Sequence, residues 1–370
     1  MTVLLINNDV VKQVLNMEMT MAALEQAYKE HVSKEAVCRP RIDIRIPTRD
    51  PNKVYRWGTM EGGSASGYFA IRIKSDIIYQ QEYNGAITEE KYCIEPGTFC
   101  GLILLMSVNN AEPLALLNDG IVQQSRVGAD GGLGVRYAAR ENAEVVGMLG
   151  SGGQARSHMA AYMLARPNIK RIQVYSPTKA NRERYAAEMH DLYGIEAVAC
   201  NSPEDIYKGA DIVAAITDSA VSVLDSKHIQ KGQHIINVGG GGSPSQDVLD
   251  RVDVYLRFGD APGPWGLPEL ELQDEYITYA AQPKNSKPNL RSHGRRGHQA
   301  AIPDRMVTLA QALERGGSAR TSPDQVTYSE RGNLQGQQFW AVAGKVYEEV
   351  KKRGLGNELP TDWFTQDIRN

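Results

Sequence analysis

The chain has 370 residues, 42% of them hydrophobic and 23% charged, which is long enough for two packed domains. With 41 basic and 44 acidic residues the formal charge is −3. No large basic surface is therefore expected that would attract nucleic acid or anionic lipid. The longest apolar run, at 101–108, is far shorter than the roughly 20 residues of a membrane-spanning helix. Nucleic acid and membrane are thus excluded from the expected partners.

The N-terminal apolar patch lacks a basic region before it and is interrupted at 7–9, so we expect no secretory signal. The four cysteines (Cys38, Cys93, Cys100 and Cys200) have no CxxC spacing. They predict reduced thiols rather than a redox pair or a zinc site, and no metal is expected. A cytoplasmic protein is the expectation that follows.

Two patterns of secondary structure divide the chain. Residues 1–125 combine a helical segment at 20–34 with alternating strand-like segments at 41–47 and 67–75, which is typical of an α+β domain. From about residue 140, short apolar runs alternate with helical stretches. This βαβ order predicts a parallel sheet with crossover helices.

The C-terminal third has two distinct segments. Residues 258–300 are rich in Gly, Pro and basic residues and predict a long loop. The tail from about 338, "QFWAVAGKVYEEVKKRGLG", has an apolar stripe and ends in glycine, which predicts a helix.

The stretch "EVVGMLGSGGQARSHMAAYMLA" (144–165) places closely spaced glycines between a strand and a helix. Gly150, Gly152 and Ala155 form G-x-G-x-x-A, in which Gly150 permits the tight turn, Gly152 lets a pyrophosphate approach the backbone, and Ala155 allows close helix packing. The strand before the motif and the βαβ units after it supply the context that a lone glycine motif lacks. The stretch therefore predicts dinucleotide binding.

The end of the next strand indicates which dinucleotide binds. NAD-specific sites usually carry an Asp or Glu there for the ribose 2′-hydroxyl. Here "QVYSPTKANRER" offers Ser176, Thr178 and Lys179 and no acid, so NADP is favoured over NAD. Arg182 is expected to lie on the solvated face of the next helix.

Several segments in the same order resemble the ornithine cyclodeaminase/mu-crystallin family of NAD(P)-binding proteins. They are "PLALLNDGIVQQSRVGADGGLGVRYAAR" (113–140), "GMLGSGGQA", "VYSPTKANRERYA", "GADIVAAIT", "GQHIINVGG" and the tail from "SPDQVTYSERGN". The resemblance implies an α/β protein with a Rossmann-type doubly wound parallel sheet domain (126–324) plus an α+β substrate and dimerisation domain (1–125 and 325–370). It also implies a homodimer.

The resemblance also implies site residues. Arg41 matches the arginine that clamps a substrate carboxylate, a task suited to a guanidinium because it can bind both oxygens. The cofactor would be lined by Arg126, Gly150, Ser151, Gly152, Gly153, Gln154, Ala155, Ser176, Thr178, Lys179, Thr217, Ile236, Asn237 and Val238.

The family's catalytic lysine lies in a strand that reads "GYFAIRIKSDI" in this chain. Either Lys74 or Arg72 occupies its position, and both should point to the same face because side chains alternate along a strand. Lys74 could exchange protons near neutrality if burial and the nearby Arg41 lower its pKa, whereas Arg72 could orient a carboxylate but would be a poor acid or base.

One departure from the family concerns the reaction. Cyclodeaminases of the family carry an aspartate in Val-Gly-Gly-Asp, where this chain has Gly241; Asp247 and Asp76 are the possible substitutes. Without that carboxylate, the expected function is an NAD(P)H-dependent oxidoreductase acting on the C–N bond of a small 2-imino or 2-amino acid. A cyclodeaminase acting on a diamino acid and a non-catalytic NADP-dependent binding protein are the alternatives.

Overall fold

The structure is a computed structural model that describes residues 2–83, 86–219, 221–239, 244–267, 276–283 and 303–368. The strands, in chain order, are β1 (Thr2–Ile6), β2 (Ala36–Cys38), β3 (Arg41–Pro47), β4 (Val54–Ser64), β5 (Tyr68–Tyr83), β6 (Ala86–Tyr92), β7 (Cys100–Ser107), β8 (Pro113–Asn118), β9 (Val145–Leu149), β10 (Arg171–Tyr175), β11 (Glu196–Ala199), β12 (Ile212–Thr217), β13 (His234–Gly239), β14 (Val254–Arg257), β15 (Tyr276–Ala280), β16 (Met306–Thr308), β17 (Thr327–Glu330) and β18 (Asn357–Pro360). The helices are α1 (Asn8–Val14), α2 (Met17–Val32), α3 (Gly120–Ala138), α4 (Gly153–Ala165), α5 (Lys179–Tyr193), α6 (Gln246–Leu249), α7 (Leu309–Glu314) and α8 (Gln335–Arg353).

The second half of the chain forms an eight-stranded sheet whose paired strands are all parallel, in the order β11-β10-β9-β12-β13-β17-β14-β16. The first five positions follow the 3-2-1-4-5 order of a dinucleotide-binding fold, with the order reversing between β9 and β12. The predicted Rossmann-type sheet is confirmed. Its ligand crevice is expected at the carboxyl ends of β9 and β12.

The first half, joined by β15 and β18 from later in the chain, forms a mixed ten-stranded sheet with the main order β15-β3-β4-β5-β7-β8-β1-β18, in which β2 pairs with β4 and β6 with β5. On one face of this sheet, Ala70, Ile103 and Leu105 are completely buried under the helices. α8 packs there against β4 and β5. The same face changes from apolar to charged along β5, at Arg72, Lys74 and Asp76, and this charged part carries the site described below.

The predicted loop at 258–300 is wrong in one part, because residues 276–280 form β15, which pairs in parallel with the edge strand β3. "YITYA" combines aromatic and β-branched residues, and the edge of β3 offers backbone groups for pairing. Residues 258–267 and 281–283 contain neither helix nor strand, as predicted, and residues 268–275 and 284–300 lie outside the described residues. The boundary at 125/126 stays a prediction; that position falls inside α3.

The tail helix is present as α8 and ends at Gly354, which adopts the left-handed conformation with φ 62°. Within the described residues, no helix combines the length and the apolar character needed to cross a bilayer.

Candidate active site

The glycine turn lies at the carboxyl end of β9, next to the end of β12. Gly150 has φ 118°, and a Cβ atom there would overlap the carbonyl oxygen of Ile216, so only glycine fits. Gly152 has no heavy atom within 4 Å of its Cβ position. α4 starts at Gly153 without a side-chain cap on its first N–H groups. An open glycine backbone and an uncapped helix N-terminus fit the pyrophosphate of a dinucleotide.

Neighbouring side chains hold this turn in place. Gln124 Nε2 donates to the Gly153 carbonyl at 2.8 Å, and Arg156 Nη1 donates to the Ser151 carbonyl at 2.9 Å. Ser151 Oγ donates to Ser176 Oγ at 2.9 Å, which connects the ends of β9 and β10. Gln124 could not be identified from the sequence, because its role depends on how α3 packs against α4.

The side chains that follow β10 differ in their burial. Ser176 is buried, whereas Thr178 and Lys179 are exposed, and Lys179 Nζ lies 3.6 Å from Glu183 Oε1. The expectation of a solvated Arg182 is wrong: it is buried, and its Nη1 donates to the Ser176 carbonyl at 2.9 Å. Arg182 thus shapes the turn after β10, because a guanidinium can satisfy several backbone carbonyls at once.

The predicted residues at the ends of β12 and β13 lie on adjacent strands. Thr217 pairs with Gly239 in the register, and its hydroxyl accepts from the Ser219 backbone N–H at 3.2 Å. A cavity is lined by Ile236, Asn237, Val238, Asp130, Ser329 and Arg331. Sequence reasoning missed the last three, because Ser329 and Arg331 come with β17, which enters the sheet beside β13 from far along the chain, and Asp130 reaches the cavity only through the packing of α3.

Arg126 is buried in α3 and does not hydrogen-bond to the glycine turn. It donates to Gln123 Oε1 at 2.7 Å and to Gln338, and its guanidinium stacks on Phe339 at 4.4 Å. Burial lowers the pKa of Arg126, and the nearby cations Arg331 and Arg72 lower it further. Arg126 therefore links α3 to α8 in this structure.

Arg41 lies on the charged part of the mixed sheet. It donates to Asp43 through Nε at 2.6 Å and through Nη2 at 2.7 Å. In the register, Asp43 lies opposite Gly58, which lies opposite Lys74. A Cβ atom at Gly58 would lie 2.8 Å from Asp43 Oδ1, so this glycine makes room for the carboxylate that orients Arg41.

Lys74 is 7% exposed, and its Nζ lies 2.6 Å from Asp76 Oδ2. The same oxygen accepts from Arg56 Nη2 at 2.9 Å. Burial lowers the pKa of Lys74 well below its usual value, Arg56 and Arg41 lower it further, and Asp76 opposes them. Such an ammonium can release a proton far more readily than a surface lysine.

Arg72 lies two residues before Lys74 on the same face of β5. Its Nε donates to Asp119 Oδ2 at 2.6 Å, and its guanidinium lies 5.3 Å from the Phe339 ring. Asp119 precedes α3, the helix that carries Gln124. Arg72 therefore ties the mixed sheet to the helix that holds the glycine turn.

The two possible substitutes for the family aspartate differ in position. Asp76 is buried between Lys74 and Arg56, whereas Asp247 is exposed and accepts from Ser226 Oγ at 2.5 Å. Gly241 lies outside the described residues. Among the residues that the structure describes, no group of three or more His, Cys, Asp or Glu side chains is arranged to hold a metal ion.

Comparisons with known proteins agree with the fold. Residues 89–258 match the model of the ornithine cyclodeaminase/mu-crystallin family. A Bacillus cereus Δ1-pyrroline-2-carboxylate reductase is 30% identical over 152 residues, which span 41% of this chain and 46% of that protein. The aligned part is thus about half of that relative's length.

Solved structures match nearly the whole chain. Thermococcus litoralis Δ1-pyrroline-2-carboxylate reductase, in complex with NADH and L-proline, has a TM-score of 0.72 at 19% identity, covering 96% of this chain and 100% of that one. An archaeal alanine dehydrogenase dimer with bound NAD also has a TM-score of 0.72 at 19% identity, covering 97% and 99%. At this identity the likeness shows the fold. By sequence, residues 89–258 belong to the ornithine cyclodeaminase/mu-crystallin family, and the chain has the fold of the solved structures above.

Proposed function

We propose that the protein is an NAD(P)H-dependent oxidoreductase that acts on the C–N bond of a small 2-imino or 2-amino acid. The observation that carries the proposal is the buried Lys74 on the same sheet face as Arg41, in a chain whose parallel sheet ends in an open glycine turn. One relative is named a reductase of a cyclic imino acid, and a solved structure is titled an alanine dehydrogenase. Both names describe reactions at a C–N bond next to a carboxylate.

Arg41 is proposed to bind the substrate carboxylate. Its guanidinium is oriented by two hydrogen bonds to Asp43 and is mostly buried, which strengthens a charge-assisted contact. Holding the acceptor carbon in a reactive position is a large part of catalysis in this type of reaction. The bound nicotinamide cofactor supplies the hydride.

Lys74 is proposed to give the proton to the imine nitrogen, or to take it in the reverse reaction. Its lowered pKa brings the ammonium closer to the range in which proton transfer is efficient. Arg72 is proposed to orient the substrate, because its bond to Asp119 and its guanidinium chemistry keep it charged. Asp76 holds the Lys74 ammonium in place.

The cofactor is proposed to lie along the glycine turn, with its adenosine end beside Ser176, Thr178 and Lys179. Lys179 is 72% exposed in a surface ion pair, so its ammonium can turn to a 2′-phosphate at little cost. On this basis we propose NADP rather than NAD as the cofactor. Two solved structures of the same fold hold NADH or NAD, so both nucleotides need to be tested.

A homodimer is proposed through the outer face of the mixed sheet. Cross-strand neighbours on that face are apolar and partly exposed: Ile71, Ile73, Leu102, Leu104, Leu116, Ile44 and Trp57. Apolar sheet faces of this extent usually mark an interface. One structure with the same fold is described as a dimer.

The test is a fluorescence titration with NADPH and NADH, followed by 2-keto acids with ammonia or methylamine while the absorbance of the reduced nicotinamide is recorded. Consumption of the reduced nucleotide that requires both the keto acid and the amine supports a reductase. Binding without consumption would contradict it, and ammonia release from a diamino acid would then support the cyclodeaminase.

A further inference from the structure

Three cationic side chains lie next to Lys74 on the charged sheet face, and the reaction proposed above does not use them. Arg45 on β3 lies directly opposite Arg56 on β4, which lies opposite Asp76 on β5. Lys91 on β6 lies opposite Ile78, which follows Asp76 on the same face of β5. The side chains of Arg45, Arg56 and Lys91 therefore point to the face that carries Arg41 and Lys74.

Two of these cations, Arg45 and Lys91, form no side-chain hydrogen bond or ion pair with the residues that the structure describes. Arg45 is half-buried, whereas Lys91 is exposed and lies within electrostatic reach of Asp76 and Glu89. Arg56, only 6% exposed, bonds Asp76, but its Nε is buried without an acceptor, as is that of Arg45. Buried donors without acceptors are costly and are rarely kept without a reason.

The arrangement is also electrostatically unfavourable in the absence of a ligand. Like charges directly opposite one another in a sheet destabilise it, and Arg45 and Arg56 form such a pair. The carboxylates nearby are Asp43, paired with Arg41, and Asp76, shared by Lys74 and Arg56. Glu89 lies 3.7 Å from Arg56 Nη1. Arg72, paired with Asp119, also lies on this face, so that among the described residues six cations lie on or against it with four carboxylates, which leaves a positive excess even when Lys74 is neutral.

We propose that Arg45, Arg56 and Lys91 form a second anion subsite, which binds a carboxylate on the side chain of the substrate. The substrate class is then a 2-imino or 2-amino dicarboxylic acid, an inference that rests on the function proposed above. Arg45 lies four residues from Arg41, roughly 13 Å along an extended strand. The Arg41 side chain points along β3 toward Arg45, because its guanidinium bonds the intervening Asp43. The two guanidinium groups can therefore hold the two ends of a short dicarboxylate.

The same subsite disfavours the cyclodeaminase alternative. A diamino acid would bring a second ammonium to a face that already has an excess of positive charge. Repulsion between like charges in a partly buried site would oppose its binding.

The first test compares substrates of equal length in the presence of ammonia and reduced nucleotide. Oxaloacetate is compared with 2-oxobutyrate, and 2-oxoglutarate with 2-oxovalerate. A buried charge-assisted contact predicts a kcat/KM at least about tenfold higher for the dicarboxylic member. Arg45→Met is expected to reduce this preference by about tenfold through KM. Equal rates for the two members, or an unchanged preference in the variant, would overturn the subsite.

The matched control is Arg49→Met, an exposed arginine beyond the end of β3. It should keep the preference of the wild-type protein. Arg45→Met is expected to raise the denaturation temperature, because it removes the repulsion with Arg56. A fall in that temperature would show that Arg45 serves the fold instead.

A second measurement separates this subsite from the proposed reaction. Calorimetric titration with glutarate and with valerate, in the presence of the nucleotide, needs no turnover. Tighter binding of glutarate that is lost in Arg45→Met supports the subsite even if no keto acid is reduced. Equal binding of the two acids by the wild-type protein would reject the subsite while leaving the oxidoreductase proposal to its own assay.

Discussion

Lys74 Nζ lies 2.6 Å from Asp76 Oδ2, and both side chains are buried on one face of β5. Burial and two neighbouring arginines lower the pKa of the lysine, while the aspartate raises it. The pair therefore sets both the position and the acidity of the group to which we assign proton transfer.

Replacing Lys74 with methionine is expected to reduce kcat by about 10²-fold or more, the usual contribution of a positioned acid or base. The affinity for NADPH should stay nearly unchanged, because the glycine turn is on the other sheet. Steady-state kinetics and a nucleotide titration check this. Lys53→Met is the control: Lys53 bonds Tyr92 and lies outside the charged face. A Lys74→Met variant with the wild-type rate would mean that another residue faces the reacting atoms, and Arg72 would be the next candidate.

The Asp76→Asn variant tests the pKa of Lys74. Asp76 raises that pKa, so its removal should lower it further. In the reductive direction Lys74 must be protonated, and activity is lost as the pH rises through its pKa. The alkaline limb of the kcat profile should therefore move to lower pH in Asp76→Asn. A limb that stays in place would show that another group controls it.

The lowered pKa of Lys74 also makes stability depend on pH. Between the lowered folded pKa and the usual unfolded pKa, the unfolded chain binds more protons, so Lys74 makes the free energy of unfolding increase with pH over that range. Lys74→Met removes this slope. Denaturant titrations of both proteins at several pH values measure it, and identical slopes would contradict the shift.

Two glycines of the same turn should respond differently to alanine. Gly150→Ala should destabilise the protein by at least about 1–3 kcal/mol, because of its positive φ and the overlap with the Ile216 carbonyl. Gly152 is extended and faces open space, so Gly152→Ala should keep the denaturation temperature but weaken nucleotide binding by about tenfold. Unchanged nucleotide binding in Gly152→Ala would place the pyrophosphate elsewhere.

The nucleotide preference can be tested at Lys179. Lys179→Ala is expected to raise the KM for NADPH by about tenfold and to leave that for NADH almost unchanged, because only NADPH carries the 2′-phosphate. The control is Lys170→Ala, an exposed lysine before β10 that pairs with Glu144. Equal effects on the two nucleotides would remove the basis for favouring NADP.

The proposed dimer can be tested with Ile73→Asp, which places a charge on the apolar outer face of the mixed sheet. Sedimentation should show half the mass of the wild-type protein, with the circular dichroism spectrum retained. Leu192→Asp, at an exposed position on α5, should leave the mass unchanged. A wild-type protein that sediments as a monomer would reject this interface.

The sequence predicted the features that depend on local periodicity. Alternating apolar runs and helices gave the parallel sheet, and the glycine spacing gave the turn at Gly150, because both are encoded within a few residues. The strand β15 was missed because its five residues lie within a segment dominated by Gly and Pro. Its pairing depends on the free edge of β3, which is far from β15 in the sequence.

The composition of the charged sheet face could be predicted only with knowledge of the cross-strand register. "RIDIRIP" places Arg41, Asp43 and Arg45 on one face of β3, a pattern that was visible in the sequence. Their neighbours Gly58 and Arg56 on β4 come from the pairing, which the sequence does not specify. Arg182 was misjudged for a similar reason, because its carbonyl partners at the end of β10 are set by the fold.

The most direct test of the central proposal follows atoms from the reactants into the product. The protein is incubated with 2-keto acids, nitrogen-labelled ammonia and a reduced nucleotide deuterated at nicotinamide C4, and the amino acid formed is analysed by mass spectrometry. We expect an amino acid with labelled nitrogen and with deuterium at its α carbon, formed at a rate that Lys74→Met strongly reduces. A nucleotide-bound protein that forms no doubly labelled amino acid from any keto acid of the panel would contradict it.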